Sequence, residues 1–244
     1  MGKDRGDTYS LTMRDKVIEA LSRIAREGVY DDASSSIILG LDKIFRRILA
    51  ENLVGRIILD NGCGSGVMYR YCYRYLRLLD EKYGLNPLYI LLDPSSDFIR
   101  LVHSIHRGDP YIDIVQAYAE YLPFREKSID TIISSFMLRD VIDLGKTIVN
   151  MLYVANKRIL ILDFYKPPSM LTYLAELLYI YLVVPIIILL KYPRLIREYL
   201  YLAPTVIMQH TIREVIEIFK KFNGEKIDLM CWFRCTIFLL KIRV

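Results

Sequence analysis

Three glycines spaced by single residues follow an apolar run that ends in an acid: Ile58-Leu59-Asp60-Asn61-Gly62-Cys63-Gly64-Ser65-Gly66. A buried strand, a loop bare of side chains at alternate positions and then a helix form a place where a ligand can lie against backbone. Side chains at 62 and 64 would block that approach, and the first turn of a helix adds unpaired N–H donors. A second acid, Asp93, closes the next apolar run, Leu88 to Leu92. A carboxylate at a strand end can accept both hydroxyls of a ribose, so the pair points to a nucleotide-like ligand. Asp93 as a turn or helix-capping residue is the structural alternative. The dinucleotide fingerprint GxGxxG needs its third glycine at 67, where Val67 stands, which weighs against a nicotinamide-dependent dehydrogenase.

The elements that must hold these residues alternate between strand-like and helix-like. Apolar runs over 56–60, 88–92, 111–117, 129–135 and 158–163 read as strands, with two more at 226–230 and 236–242 forming a final hairpin. Helical patterns cover 11–26, 35–52, about 67–83, 97–106, 144–155 and 212–222, and Gly28-Val29-Tyr30-Asp31-Asp32 reads as a turn. This order predicts an α/β fold with a parallel sheet covered by helices. Four regions are expected: an N-terminal helical cap over 1–52, a cofactor-binding core over 53–168, a hydrophobic helical lid over 169–211, and a C-terminal helix with two strands over 212–244.

The chain has 244 residues, 53% of them hydrophobic, and a mean hydropathy of +0.25, high for a chain of this length and in need of an address. Twelve glycines and nine prolines exclude a low-complexity chain, and the apolar fraction excludes disorder. Thirty-three basic residues against 28 acidic give a dispersed net charge of +5, without the basic stripe of a nucleic-acid binder. Cys63, Cys72, Cys231 and Cys235 form no CxxC pair, so free thiols and no metal are expected. Residues 1–9 lack an apolar segment, which predicts no secretory signal and a cytoplasmic protein.

Further motifs carry a resemblance. After Asp93 come Gln116-Ala117-Tyr118-Ala119-Glu120-Tyr121-Leu122-Pro123-Phe124, then Ser135-Phe136-Met137-Leu138-Arg139-Asp140-Val141 and Leu162-Asp163-Phe164-Tyr165-Lys166-Pro167. In this order and spacing they resemble the AxAExLPF, SFGLRNV and LEFSKP segments of the ubiquinone/menaquinone-biosynthesis C-methyltransferases, a family of class I S-adenosylmethionine-dependent methyltransferases. Tyr30-Asp31 and the run from Gly40 to Arg47 are similar to that family's N-terminal region. The resemblance runs from Tyr30 to Pro167 and implies a Rossmann-like sheet of seven strands, mostly parallel, with helices on both faces.

It also implies S-adenosylmethionine as cofactor, with its methionine end on Asp60, Gly62, Gly64, Ser65 and Gly66, its ribose on Asp93, and its adenine beside Tyr118 and Ala119. Ser135 would face the sulfonium. The segment from Phe136 to Asp140 would meet the substrate ring, with Arg139 stabilising a phenolate and Asp140 or His210 relaying its proton. A surface ion pair for Arg139 and Asp140, and a helix cap for His210, are the plain alternatives. Tyr118 replaces the family's Asp or Asn, Met137 its Gly and Asp140 its Asn, and the glycine pair before the fifth strand is absent. The implied partner is an apolar small molecule such as a prenylated quinol, not nucleic acid; oligomeric state stays open. Methylation of another lipid or small molecule, and a cofactor-binding module without catalysis, are the alternatives.

Met170 to Leu190 carries one charge, Glu176, and is long enough to span a membrane. If 226–242 belongs to the same sheet, a single span would separate it from its neighbours. The segment is therefore expected to be a lid beside the substrate pocket, with contact to a membrane surface left open. Tyr173, Tyr179, Tyr181, Tyr192, Tyr199 and Tyr201 suit either core packing or a greasy channel. His103 and His106 are expected on a solvated helix face.

Overall fold

The structure is a computed structural model; it describes residues 19–200, 210–232 and 237–244, and the side chain of Ile227 is left aside. Residues 11–18 of the expected first helix, Tyr201 and Cys235 lie outside the described residues. Helix α1 is described over 19–26, and α2 (Tyr30–Ile37) and α3 (Asp42–Ala50) follow it. The core then runs β1 (Ile57–Asn61), α4 (Val67–Tyr83), β2 (Leu88–Asp93), α5 (Ser96–Ile105), β3 (Ile112–Gln116), β4 (Ile129–Ser135), α6 (Leu144–Val154) and β5 (Ala155–Phe164). The lid segment contains α7 (Met170–Leu178), a π-helical turn (Tyr179–Val183) and α8 (Val184–Lys191), with a short α9 described over 196–200. Helix α10 (Ile212–Lys221), β6 (Glu225–Trp232) and β7 (Ile237–Arg243) complete the chain.

The seven strands form one sheet in the order β3-β2-β1-β4-β5-β7-β6, parallel except for β7, which runs antiparallel to both neighbours. Central strands are apolar on both faces because both are covered. Leu59, Ile132, Ile159 and Ile161 pack with Ile148 and Met151 of α6 and Phe219 of α10. Ile58, Ile133, Leu160 and Leu162 pack with Phe45 of α3 and Met68 and Leu76 of α4. Strand order reverses between β1 and β4. Ligands of open α/β sheets bind at the carboxyl ends of the strands at such a switch point, which is where the glycine loop stands.

Two sequence expectations are corrected. Tyr30 to Asp32 is not a turn but the first turn of α2, where Asp31 and Asp32 favour the positive end of the helix dipole. The helix expected over 35–52 is two helices, broken where Leu39 and Gly40 both take positive φ (55° and 77°). A third apolar cluster joins these N-terminal helices to the lid: Ile24 and Ala33 pack with Val184, Ile188, Leu195 and Tyr199. Cap and lid thus share a small core of their own.

Beneath the glycine loop, Asp60 is buried and accepts a hydrogen bond from the Tyr89 hydroxyl at 3.0 Å. Burial pushes its carboxyl from 3.8 to about 7, against the lowering effect of Tyr89. Between those values the folded protein holds a proton that the unfolded chain has released. The stabilisation is therefore full below about pH 4 and is lost as pH rises through 7. Asp60→Asn imitates the neutral acid. It is expected to melt level with or below the wild type near about pH 5 and to gain on it by roughly a few degrees by about pH 8. Circular dichroism melts check this; a difference independent of pH contradicts it.

Candidate functional site

The glycine loop is stitched to the end of β2. Gly62 and Cys63 both donate their N–H to the Leu92 carbonyl, at 2.8 and 2.9 Å. Gly64 N–H donates to Asp93 Oδ2 at 3.0 Å, and Ser95 N–H to Asp93 Oδ1 at 2.9 Å. Desolvation raises the Asp93 carboxyl to about 6, a rise these two donors restrain. Each of its oxygens has a lone pair beyond the one used, so capacity for two hydroxyl donors remains. Helix α5 is capped by Ser95, whose Oγ accepts from Phe98 N–H at 3.5 Å, so Asp93 is free of that role.

Two of the glycines are hemmed in by protein neighbours. A Cβ at Gly62 would lie 2.3 Å from Met137 Cγ, and one at Gly66 would lie 3.1 Å from Val102 and 3.3 Å from His106 Nε2. Gly64 faces Tyr30 and Phe98 instead. The expectation that bare backbone is kept clear for a ligand is corrected to this extent: Met137 fills the space above Gly62. The His106 ring, 5.1 Å from Tyr69, packs against α4 and is not on a solvated face; His103 is exposed. The Ser65 hydroxyl donates to Asp31 and ties the loop to α2. Ala119 is buried at a 3₁₀ turn, and Tyr118 before it is 47% exposed.

At the tip of β4, Ser135 Oγ accepts a hydrogen bond from Arg46 Nη1 at 3.0 Å. Phe136 follows at φ 60°, a left-handed conformation that a bulky residue adopts only under constraint. Its ring meets Phe164 at 5.1 Å and lies under the Arg46 guanidinium at 5.4 Å. Arg139 sits over Phe164 at the same distance. It donates to Asp163 Oδ1 at 3.2 Å, and its Nε is 3.7 Å from Asp140 Oδ2. Burial alone would lower the Arg139 pKa, but Asp140 and Asp163 outweigh it and hold the guanidinium charged. Asp163 is fully buried and also accepts from Leu138 and Phe164 N–H; desolvation lifts it to about 6 even against Arg139. Arg139 and Asp140 are therefore part of a built polar wall rather than a surface ion pair.

That wall closes one end of a cavity of about 470 Å³ between the sheet tips, α2, α3 and the lid. Tyr30, Asp31, Asp42, Arg46 and Arg139 line it with Ile37, Ile38, Tyr179, Ile180, Val184 and Pro185. The Tyr30 hydroxyl is pushed up to about 12 by burial, against Arg139 and Arg46, so it is a donor at neutral pH. His210 is not among the lining residues. Its carbonyl accepts from Lys166 N–H and its ring is 4.0 Å from Glu214, while Thr211 caps α10 in its place, in a capping box with Glu214. Sequence reasoning missed Arg46, Asp42 and Glu176 as site residues; on the strongly charged helix α3 nothing local set Arg46 apart.

Residues 59–158 match a family model described as a methyltransferase domain. A ubiquinone/menaquinone biosynthesis C-methyltransferase of Campylobacter jejuni is 27% identical over 161 residues, spanning 63% of this chain and 65% of that one. One from Vibrio cholerae is 29% identical over 160 residues, spanning 62% and 58%. The matches thus span less than two thirds of these relatives' length. Among solved structures, a SAM-dependent methyltransferase from Aquifex aeolicus superposes with a TM-score of 0.57 at 14% identity, over 81% of this chain and 88% of that one. A geranyl diphosphate methyltransferase in complex with GPP and sinefungin gives 0.58 at 10% identity, over 83% and 78%. These likenesses show the fold.

The residues present fit S-adenosylmethionine. Asp93 keeps acceptor capacity, Ala119 and Tyr118 offer a small neighbour and an exposed ring, and the loop stands at the switch point. Asn61, fully buried directly before the loop, has no hydrogen-bond partner for its amide among the described residues, an orphan that polar ligand atoms or water satisfy. Residues 59–158 thus match a methyltransferase domain, in a chain that has the fold of S-adenosylmethionine-dependent methyltransferases and resembles the ubiquinone/menaquinone biosynthesis C-methyltransferases in sequence.

Proposed function

We propose that the protein methylates a ring carbon of a prenylated quinol. The observation that carries this reading is the cavity, apolar along α2 and the lid and ending on two guanidiniums and two phenylalanines at the tips of β4 and β5. The names of the relatives support the quinol, and the lining supports an apolar acceptor.

When bound, S-adenosylmethionine supplies an activated methyl group for in-line displacement by a carbon nucleophile. A phenol, titrating near about 10, becomes a strong carbon nucleophile when its hydroxyl loses its proton. Arg139 places fixed positive charge where the phenolate oxygen would form, and Arg46 adds a second on the other side of the Phe136–Phe164 pair. Asp140 does not line the cavity; paired with Arg139 at 3.7 Å, it positions that guanidinium. The two phenylalanine rings offer a flat wall for the quinol ring. Ile37, Ile38, Ile180 and Val184 exclude water and accept the prenyl chain. His210, outside the cavity wall, enters no step.

Two outcomes are expected. In calorimetry Asp93→Ala binds S-adenosylmethionine about tenfold more weakly or worse, the loss of hydrogen bonds to a charged acceptor; equal affinity contradicts the ribose assignment. With methyl-labelled cofactor and a reduced short-chain prenyl naphthoquinol, the label appears on a ring carbon by NMR. Label on oxygen, or none, contradicts C-methylation.

A further inference from the structure

The segment Met170–Lys191 is 22 residues long with a mean hydropathy of 2.3 over its most apolar stretch, and little of that stretch is buried. Six of its outward side chains fall on one stripe. Leu171, Leu174, Leu178, Leu182, Ile186 and Leu189 recur every three or four residues and are each 45–69% exposed. The opposite side carries Val184 and Ile188 into the cap–lid core. An apolar stripe of about 27 Å on the surface of a folded domain needs a partner.

The sheet decides what kind. Strand β5 ends at Phe164, just before the segment, and β7, after it, pairs with β5 from Arg158↔Arg243 to Phe164↔Ile237. One crossing of a bilayer by this segment would put those strands on opposite sides. The segment cannot span while the sheet is formed.

Charge selects the occupant. Among residues 166–200, each exposed charged side chain is basic: Lys166 before the stripe, and Lys191, Arg194 and Arg197 after it. Glu176 lines the cavity, and Glu198 is buried against Arg23 at 3.0 Å. Asp32, an exposed acid of neighbouring α2, accepts a hydrogen bond from the Tyr192 hydroxyl. A second copy presenting the same face would set these cations against each other, whereas anionic headgroups complement them. Leu39 and Leu200 line the cavity and are more than half exposed, and Ala175, exposed between Leu174 and Leu178 of the stripe, lines it too, so the cavity opens to the surface at this segment.

We infer that the protein docks on an anionic bilayer with the Met170–Lys191 stripe lying in the plane of the interface, without crossing it. The acceptor site then opens toward the acyl region, and an apolar substrate reaches it without passing through water.

Flotation of the full chain with phosphatidylcholine–phosphatidylglycerol vesicles, without cofactor or acceptor, tests this apart from any methyl transfer. The wild type is expected to float with these vesicles and less with phosphatidylcholine alone. The double variant Leu178→Glu/Leu182→Glu, at two exposed positions outside the cavity lining, is expected to bind about tenfold more weakly or worse. Its S-adenosylmethionine affinity stays at the wild-type value; if it does not fold, Leu190→Glu, at the most exposed position of the segment, serves instead. Lys191→Glu/Arg194→Glu loses about fivefold or more per charge on the anionic vesicles. A wild type that stays soluble overturns the inference. So does unchanged binding by the stripe variants, or a wild-type dimer in sedimentation that they dissolve without vesicle binding.

Discussion

The Asp93 carboxylate and the neighbouring Leu92 carbonyl hold the glycine loop on the end of β2, through three backbone N–H donors from Gly62, Cys63 and Gly64. Much else follows from this seam. It fixes where β1 turns into α4, so that Gly66, at the start of α4, meets Val102 and His106 at the end of α5. It also buries a carboxylate at the end of β2, one strand from the switch point, with capacity left for ligand hydroxyls. Ser65, carried by the same loop, reaches Asp31 and draws α2 down over the site. The cofactor position and the cavity roof are therefore set by one piece of backbone.

The cavity is built between bodies with separate cores. The sheet contributes Phe136, Arg139 and Phe164 from strand tips anchored by layers of Ile and Leu. The roof contributes α2 and the lid, which hold each other through Ile24, Ala33, Val184 and Ile188. A polar floor joined to an apolar roof suits a molecule with a phenolic head and a hydrocarbon tail. The high mean hydropathy now has its address: part lies in strands buried on both faces, and part lies on a lid whose outer side is as apolar as its inner one.

Seven strands were legible because strands covered on both faces are written as short unbroken apolar runs, and all seven are present, with shifts of a few residues at their ends. The chemistry of the loop and of Asp93 was legible from residue type and spacing. The break at Leu39 was not, because a leucine at positive φ has no local signature. The neighbour of Gly62 was also invisible, since Met137 lies 75 positions away, and so was Arg46, which reaches Ser135 across 89 positions. His210 read as a cap, yet Thr211 beside it has the shorter hydroxyl side chain that closes the box with Glu214.

The claim on which the account stands is that S-adenosylmethionine rests on the Asp93 seam beneath the cap. Amide hydrogen exchange with and without S-adenosylmethionine tests it directly. Slowed exchange confined to 62–67, 93–98, 118–120 and the α2 residues 30–37, with β6 unaffected, is the predicted result. Unchanged exchange across the glycine loop and the 93–98 segment under saturating cofactor would contradict it, as would the same protection from NAD.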